Sequence, residues 1–485
     1  MPYGCLMDLV ERIYAAERGP GIVACFDYDG TLIDGFSAKA FYAHRIRHFE
    51  IGPIELVKTL IMSLNGIHTT AEFEALLELS LGAWKGLPEE SVETLSRKLF
   101  KEGIAQSLFP ESWELVEAHR RMGHTLVLAS SATRFQVEPM AEQLGIDHVL
   151  CTPLQVVDGV LTGKTAGPPL WSERKAQGLI ALAQEHDLDL DRSFAYSNGT
   201  EDIPLLECVG YPAAVCPEDG LRRRAETEGW PVLECEPRGG RPGLMQMART
   251  VGFYSSFAAA AGLGAGLGIL NRSKETLLEI TGGVGADVGL AAAGVEVDIL
   301  SGQEYLWSAR PAVFVFNHQS NIDPIIIMKL LRGGFTGVAK AEAKKIPGFG
   351  QFFQLAGVAF VERGNHKQAI DALEPAIAKV RDEGLSLVIA PEGTRSMTPR
   401  MNRFKKGAFH IAMQAGVPMV PIAIRHAGTV LPRGWQTIRG GRIEVVVLPP
   451  VATDDWTKAN LGEQAAAVQA MIEAAMTGDR ERVPD

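Results

Sequence analysis

The chain has 485 residues, 46% hydrophobic and 22% charged, with a formal net charge of −11. That length implies two or three domains, and the composition excludes global disorder and a collagen-like repeat. The first 240 residues hold 21 basic and 36 acidic side chains and the rest hold 26 and 22, so the acidity lies in the first half. A mildly basic second half suits an anionic substrate or an anionic membrane face; drift between fused domains gives the same split. No Lys/Arg-rich tract points to nucleic acid as a partner. The six cysteines (Cys5, Cys25, Cys151, Cys208, Cys216, Cys235) contain no Cys-x-x-Cys pair. That excludes a disulfide framework and a zinc ribbon and fits a reducing cytosol. Asp8, Glu11 and Arg12 interrupt the N-terminal apolar residues, so no secretory signal is expected.

Residues 20–34 read as a buried strand followed by a turn, Phe26-Asp27-Tyr28-Asp29-Gly30-Thr31. Residues 36–120 read as helical. Strands are expected near 125–129 and 193–196, with helices at 134–144 and 173–186 between them. Strand–helix alternation means a parallel sheet wound with helices. The turn's two carboxylates at a strand end suit Mg²⁺, which prefers hard oxygen ligands, and a carboxylate can also attack phosphorus. An Asp-rich turn capping its own loop is the structural alternative.

Further positions tie this half to a family. Ser130 ends Leu-Val-Leu-Ala-Ser, Lys175 sits on the second helix, and Ser197-Asn198-Gly199-Thr200-Glu201-Asp202 follows the last strand. Residues 1–235 resemble the haloacid dehalogenase superfamily, nearest its phosphoserine-phosphatase-like branch. The resemblance implies a Rossmann-like domain with a helical cap at about 36–120. It makes Asp27 the nucleophile and Asp29 the acid/base. Ser130 and Lys175 become the phosphate-binding residues, and Asp27, Asp29, Asn198 and Asp202 the Mg²⁺ site. Asn198 departs from the family, which has Asp there, so one negative charge is missing. A catalytically dead regulatory domain is the alternative this substitution raises.

Residues 236–249 read as a linker, clearest in Glu-Pro-Arg-Gly-Gly-Arg-Pro-Gly at 236–243, which can extend neither a helix nor a central strand. Residues 250–300 read as an apolar membrane-associating segment. Thr250 to Leu270 carries no charge over 21 residues, yet five are Gly and five Ala. Its length would span a bilayer, its weak hydrophobicity suits the interface, and burial against the enzyme is the third placement. Gly262/Gly266 and Gly264/Gly268 are spaced for close helix contact.

Residues 301–485 read as a second α/β domain, with strands at Pro311–Phe316, Val358–Val361, Leu385–Ala390, Pro418–Ile424 and Ile443–Leu448. Four patterns occur in order: Asn317-His318-Gln319-Ser320-Asn321-Ile322-Asp323-Pro324, Gly357-Val358-Ala359-Phe360-Val361-Glu362-Arg363, Pro391-Glu392-Gly393-Thr394-Arg395-Ser396, and Val417-Pro418-Met419-Val420-Pro421. A histidine supplies a base near neutral pH, and a carboxylate on its second nitrogen fixes the tautomer. On an unbroken helix His318 and Asp323 would diverge by about 140°, so a turn must join them, with Asp323 expected at the N-cap and Pro324 at N1. Arg363 and Arg395 suit a phosphate oxyanion, and Glu392 could bond a substrate hydroxyl.

Together these patterns resemble the glycerolipid acyltransferase family that includes the lysophosphatidate acyltransferases. The resemblance implies His318 as base and Asp323 as its orienting partner. It implies Gly357, Arg363, Glu392, Gly393, Thr394 and Arg395 around the glycerol phosphate, with Lys340 beside them. It further implies a lysophospholipid acceptor, acyl-CoA or acyl carrier protein as donor, no metal for transfer, and residence at the cytosolic membrane face.

Overall fold

The computed structural model describes residues 2–52, 69–238, 242–345, 348–361, 374–433 and 435–476, with side chains from Cys5 onward. They form two compact units, Met1–Gly240 and Arg241–Asp485. Glu362 and Arg363 lie outside the described residues.

The first unit is built on β1 (Val23–Phe26), β2 (Thr125–Thr133), β3 (His148–Thr152), β6 (Phe194–Ser197), β7 (Tyr211–Val215) and β8 (Val232–Leu233). Their order is β3-β2-β1-β6-β7-β8, and every pairing is parallel. β1 reads Val-Ala-Cys-Phe without a polar residue because helices cover both faces of a parallel sheet. A separate antiparallel hairpin, β4 (Leu154–Val157) and β5 (Val160–Thr165), packs against the helix Thr70–Gly82. The hairpin lies outside the stretch 36–120 expected to be helical, whose described elements are all helices. The last helix of that stretch, Pro110–Met122, instead lies on β2 and the N-terminal helix. The chain reverses direction across the sheet between β1 and β6, the switch point where open α/β sheets place ligands.

The second unit holds β9 (Val295–Ser301), β10 (Val313–Phe316), β11 (Phe335–Lys340), β12 (Ala359–Val361), β13 (Ser386–Ile389), β14 (Met419–Arg425) and β15 (Gly441–Val447). Their order is β12-β11-β13-β10-β14-β15-β9, parallel except for β14 against β15. β10 is fully buried and lies between β13 and β14, so the loops after β10 and β13 emerge side by side. The sequence reading missed β9 and β11, whose polar letters interrupt the apolar pattern. β9 moreover lies in the stretch read as membrane-associating.

The charge-free stretch belongs to a 28-residue helix, Leu244–Asn271, so the helix begins inside the expected linker. Its buried residues Phe253, Phe257, Ala260 and Gly264 form one stripe at helical spacing. Phe253 and Phe257 press on Gly285 and Gly289 of the helix Gly285–Ala292, where an added Cβ would meet a ring atom at 3.0 Å. Gly264 and Gly268 approach Leu277 and Ser273, whereas Gly262 and Gly266 face open space. Val251, Leu263, Ile269 and Leu270 are exposed. By length and composition this helix could cross a membrane.

Candidate functional site

In the first unit the switch point gathers the expected residues. Asp27 directly follows β1, buried, with Oδ1 2.7 Å from Lys175 Nζ. Lys175 also lies 2.7 Å from Asp202 Oδ2, which accepts a further bond from Ser197 Oγ at 2.7 Å. Burial works against the Lys175 ammonium, but the two carboxylates outweigh it and raise its pKa. Burial raises the Asp27 carboxyl, with Lys175 opposing. Asp202 Oδ1 is buried without a hydrogen-bond partner among the described residues. Thr31 Oγ1 lies 3.1 Å from Asp27 Oδ2 and 3.2 Å from Asn198 Oδ1, tying the two side chains together. Ser130, at the same end of β2, accepts the Ala132 N–H at 3.1 Å. Asp29 turns aside: Ser37 N and Oγ donate to its two oxygens at 2.6 and 3.1 Å. Burial pushes its carboxyl up to about 7.

The second unit builds its site on the paired ends of β10 and β13. His318 follows β10, and its Nδ1 lies 2.9 Å from Asp323 Oδ2. The same oxygen accepts the N–H groups of Gln319 and Ser320 at 2.8 and 2.9 Å, so the loop folds around the carboxylate. Asp323 is the first residue of the helix Asp323–Leu331 rather than its cap, because its side chain reaches back to the loop instead of forward. Asn317 behaves as a piece of backbone: Nδ2 donates to Ile424 O at 2.8 Å, and Oδ1 accepts from Ile424 N at 2.7 Å. That bond moors the loop to β14. With Nδ1 donating to Asp323, the neutral ring carries its lone pair on Nε2, which has no hydrogen-bond partner among the described residues.

Glu392 follows β13 and is 1% exposed. Its Oε1 accepts the His318 N–H at 2.7 Å, and Oε2 accepts Asn402 N and Nδ2 at 2.8 and 3.0 Å. Both oxygens are thus engaged within the protein, and burial pushes the carboxyl up to about 7. Gly393 has φ +70°, and Lys405 Nζ lies where a Cβ would crowd it. Burial lowers the Arg395 pKa, and Arg433 lowers it further. Arg433 Nη1 donates to Arg395 O at 3.1 Å. His318, Thr394, Arg395, Arg433 and Lys340 share the walls of one cleft of about 2210 Å³. Gly357 stands apart: its carbonyl accepts Thr336 Oγ1 at 3.0 Å and Lys379 Nζ at 2.9 Å. Neither Asn402 nor Arg433 was singled out from sequence. Asn402 lies in no pattern, and the only signal for Arg433 is a lone Arg in Leu-Pro-Arg-Gly after β14.

A family model described as haloacid dehalogenase-like hydrolase matches residues 24–207, and one described as acyltransferase matches residues 299–425. The chain is 34% identical over 178 residues to the 1-acyl-sn-glycerol-3-phosphate acyltransferase of Saccharomyces cerevisiae, which covers 36% of this chain and 58% of the yeast protein. It spans somewhat under three-fifths of the acyltransferases of this name that it matches. It is 34% identical over 214 residues to a probable phosphatase of Mycobacterium tuberculosis, covering 43% of this chain and 74% of that protein. The crystal structure of a 1-acyl-sn-glycerophosphate acyltransferase from Thermotoga maritima superposes with a TM-score of 0.42 at 23% identity, over 50% of this chain and 98% of that one. The chain belongs to the haloacid dehalogenase-like hydrolase family through residues 24–207, and its residues 299–425 match the acyltransferase family model.

Proposed function

We propose that the second unit is a 1-acyl-sn-glycerol-3-phosphate acyltransferase. The observation that carries this reading is His318 held on Asp323, with Nε2 directed by its tautomer to act as a base on the cleft that Arg395 and Arg433 share. Nε2 takes the proton from the sn-2 hydroxyl of lysophosphatidate as that oxygen attacks the carbonyl carbon of an acyl thioester. The tetrahedral adduct then collapses, the C–S bond breaks, and the imidazolium returns its proton to the departing thiolate. Arg395 and Arg433, with Arg363 and Lys340 by resemblance, offer charge to the acceptor's phosphate. Glu392, His318 and Asp323 need no metal in this scheme.

The exposed apolar side of the helix Leu244–Asn271 supports attachment to the cytosolic face of a membrane, where the acceptor resides. The one-sided burial of Phe253 and Phe257 favours a helix lying at the interface over one that spans it.

For the first unit the proposal is an aspartyl-phosphate phosphatase with Asp27 as nucleophile and Asp29 as acid/base. The residues present fit a hard divalent cation: the unpartnered Asp202 Oδ1 offers a buried lone pair, although no trio of acidic side chains converges among the described residues. Asp27, Asn198 and Asp202, with Asp29, would hold Mg²⁺, which would neutralise charge on a phosphoryl group. A second reading, a domain that binds without hydrolysing, is favoured by the neutral Asn198 and by Asp29 being occupied with Ser37.

The test is purified protein with lysophosphatidate and labelled oleoyl-coenzyme A. Label in phosphatidate with wild type and none with His318→Ala supports the transferase. Equal transfer by both ends the proposal. Label moving on into diacylglycerol, dependent on Mg²⁺ and lost in Asp27→Asn, would show that the first unit works on the same lipid.

A further inference from the structure

The cleft that holds His318 has a second group of cations beyond Arg395. Lys405, Lys406 and Lys458 all line it, together with His410. Lys405 Nζ reaches over Gly393, coming within 2.8 Å of the position a Cβ would occupy. Lys406 Nζ comes within 3.2 Å of the corresponding position at Gly462, at the start of the helix Leu461–Met476. Lys458 lies three residues before that helix. Burial lowers the His410 pKa, and Lys458 and Lys406 lower it further.

None of the three ammonium groups makes an ion pair with a described residue. Other cations of this cleft are satisfied from within: Arg332 by Asp287 at 2.7 Å, and Lys379 by the Gly357 carbonyl at 2.9 Å. Gathering like charges without a counter-charge raises the energy of the free protein, and a bound polyanion would recover it. The helix Gly407–Ala415 begins directly after Lys406 and packs on the helix Leu461–Met476.

We propose that Lys406 and Lys458, with Lys405 beside them, form a subsite for the phosphate groups of a nucleotide-bearing acyl thioester, the coenzyme form of the donor. This rests on the acyl-transfer reading above. A link to the base exists: Lys405 N donates to Pro391 O at 2.8 Å, and the next residue, Glu392, holds the His318 N–H. A donor anchored at the lysines would lay its arm along this loop toward His318. The lysines line a recessed cleft, which a nucleotide on a flexible arm can enter. A carrier protein distributes its carboxylates over a convex face.

The experiment uses the full chain. Titration calorimetry with adenosine 3′,5′-bisphosphate should show binding to wild type and binding weaker by about tenfold or more in the Lys406→Ala/Lys458→Ala double variant, with the Arg/Arg double variant close to wild type. In the transfer assay, the preference for oleoyl-coenzyme A over an oleoyl-pantetheine thioester should collapse in the Ala variant through the donor KM, while the KM for lysophosphatidate holds. Equal bisphosphate affinity in wild type and Ala variant overturns the subsite. So does a wild type that binds no bisphosphate and shows lysine-dependent KM only toward acyl carrier protein. Lysine-dependent bisphosphate binding without transfer from any thioester would keep the subsite and reject the acyl-transfer reading instead.

Discussion

His318 Nδ1 lies 2.9 Å from Asp323 Oδ2, an oxygen that also gathers the N–H groups of Gln319 and Ser320. One carboxylate therefore shapes the loop, fixes the imidazole tautomer and faces the charge that forms when the ring is protonated. Asp323→Asn can keep the loop bonds through its amide oxygen but removes the charge. We expect transfer to fall by about 10³- to 10⁴-fold, as when a triad Asp is made neutral. The cost in folding stability should be no more than about 2 kcal/mol. Labelled-acyl transfer and thermal melting check the two parts; activity within tenfold of wild type would remove Asp323 from its role.

Glu392 joins the two loops of the site by holding His318 N on one oxygen and Asn402 on the other. We propose a positioning role for it in place of the expected bond to a substrate hydroxyl. Glu392→Ala should cost about 2–4 kcal/mol, because three partly buried donors, His318 N, Asn402 N and Asn402 Nδ2, lose their acceptor. It should lower kcat more than it raises the acceptor KM; a selective rise in acceptor KM at unchanged stability would restore the substrate-contact reading. The pH dependence has a definite sign. Its folded pKa of about 7 exceeds the ordinary glutamate value of 4.5. The folded state therefore keeps a proton that the unfolded state releases between those values, and this site favours folding less as pH rises across that window. Glu392→Gln should remove that slope from the melting profile.

The strand ends were legible because buried parallel strands read as unbroken apolar runs with chemistry placed directly after them. Val-Phe-Val-Phe before Asn317-His318 is one such case, and Ser-Leu-Val-Ile before Pro391-Glu392 is another. What tertiary pairing alone creates was not legible. Lys175 meets Asp27 across 148 positions of sequence, and nothing local in a helix lysine signals two carboxylates. Asn402 is a single polar residue whose role exists only once its loop lies against Glu392. The sidedness of Leu244–Asn271 was hidden for a different reason. Its Gly- and Ala-rich letters carry almost no periodicity, and the face is chosen by Gly285 and Gly289, which admit the rings of Phe253 and Phe257.

By resemblance, Asn198 stands where the family carries an Asp. Its amide oxygen already shares Thr31 with Asp27. Asn198→Asp adds an anionic oxygen beside the Asp27–Lys175–Asp202 group. We expect Mg²⁺ affinity to rise by about tenfold or more, and phosphatase turnover of a generic phosphoester to rise with it. Calorimetric titration with Mg²⁺ reads the first without relying on turnover. Unchanged affinity would show that position 198 does not face the cation.

Behind the same sheet, His119 Nδ1 lies 2.8 Å from His124 Nδ1, His119 Nε2 lies 2.7 Å from Tyr196 Oη, and His124 Nε2 lies 2.8 Å from Glu17 O. The Glu17 carbonyl can only accept, so His124 Nε2 carries a proton and His124 Nδ1 accepts from His119. His119 Nε2 then accepts from Tyr196. A second proton on either ring would require Tyr196 Oη to turn from donor to acceptor. Burial lowers both pKa values from the ordinary 6.5, His119 most strongly, with His124 adding to it. The unfolded chain therefore binds more protons than the folded one as pH falls below that value. Stability from this chain of bonds is present above about 6.5 and is lost toward acid. The raised carboxyls of Asp29 and Glu201 act in the opposite sense, so the comparison must be between variants. His124→Gln keeps a donor for Glu17 and an acceptor for His119 but does not titrate. Its melting temperature should fall less than that of wild type between pH 7.5 and 5.5; parallel profiles would show that His124 contributes nothing to the acid sensitivity of this unit.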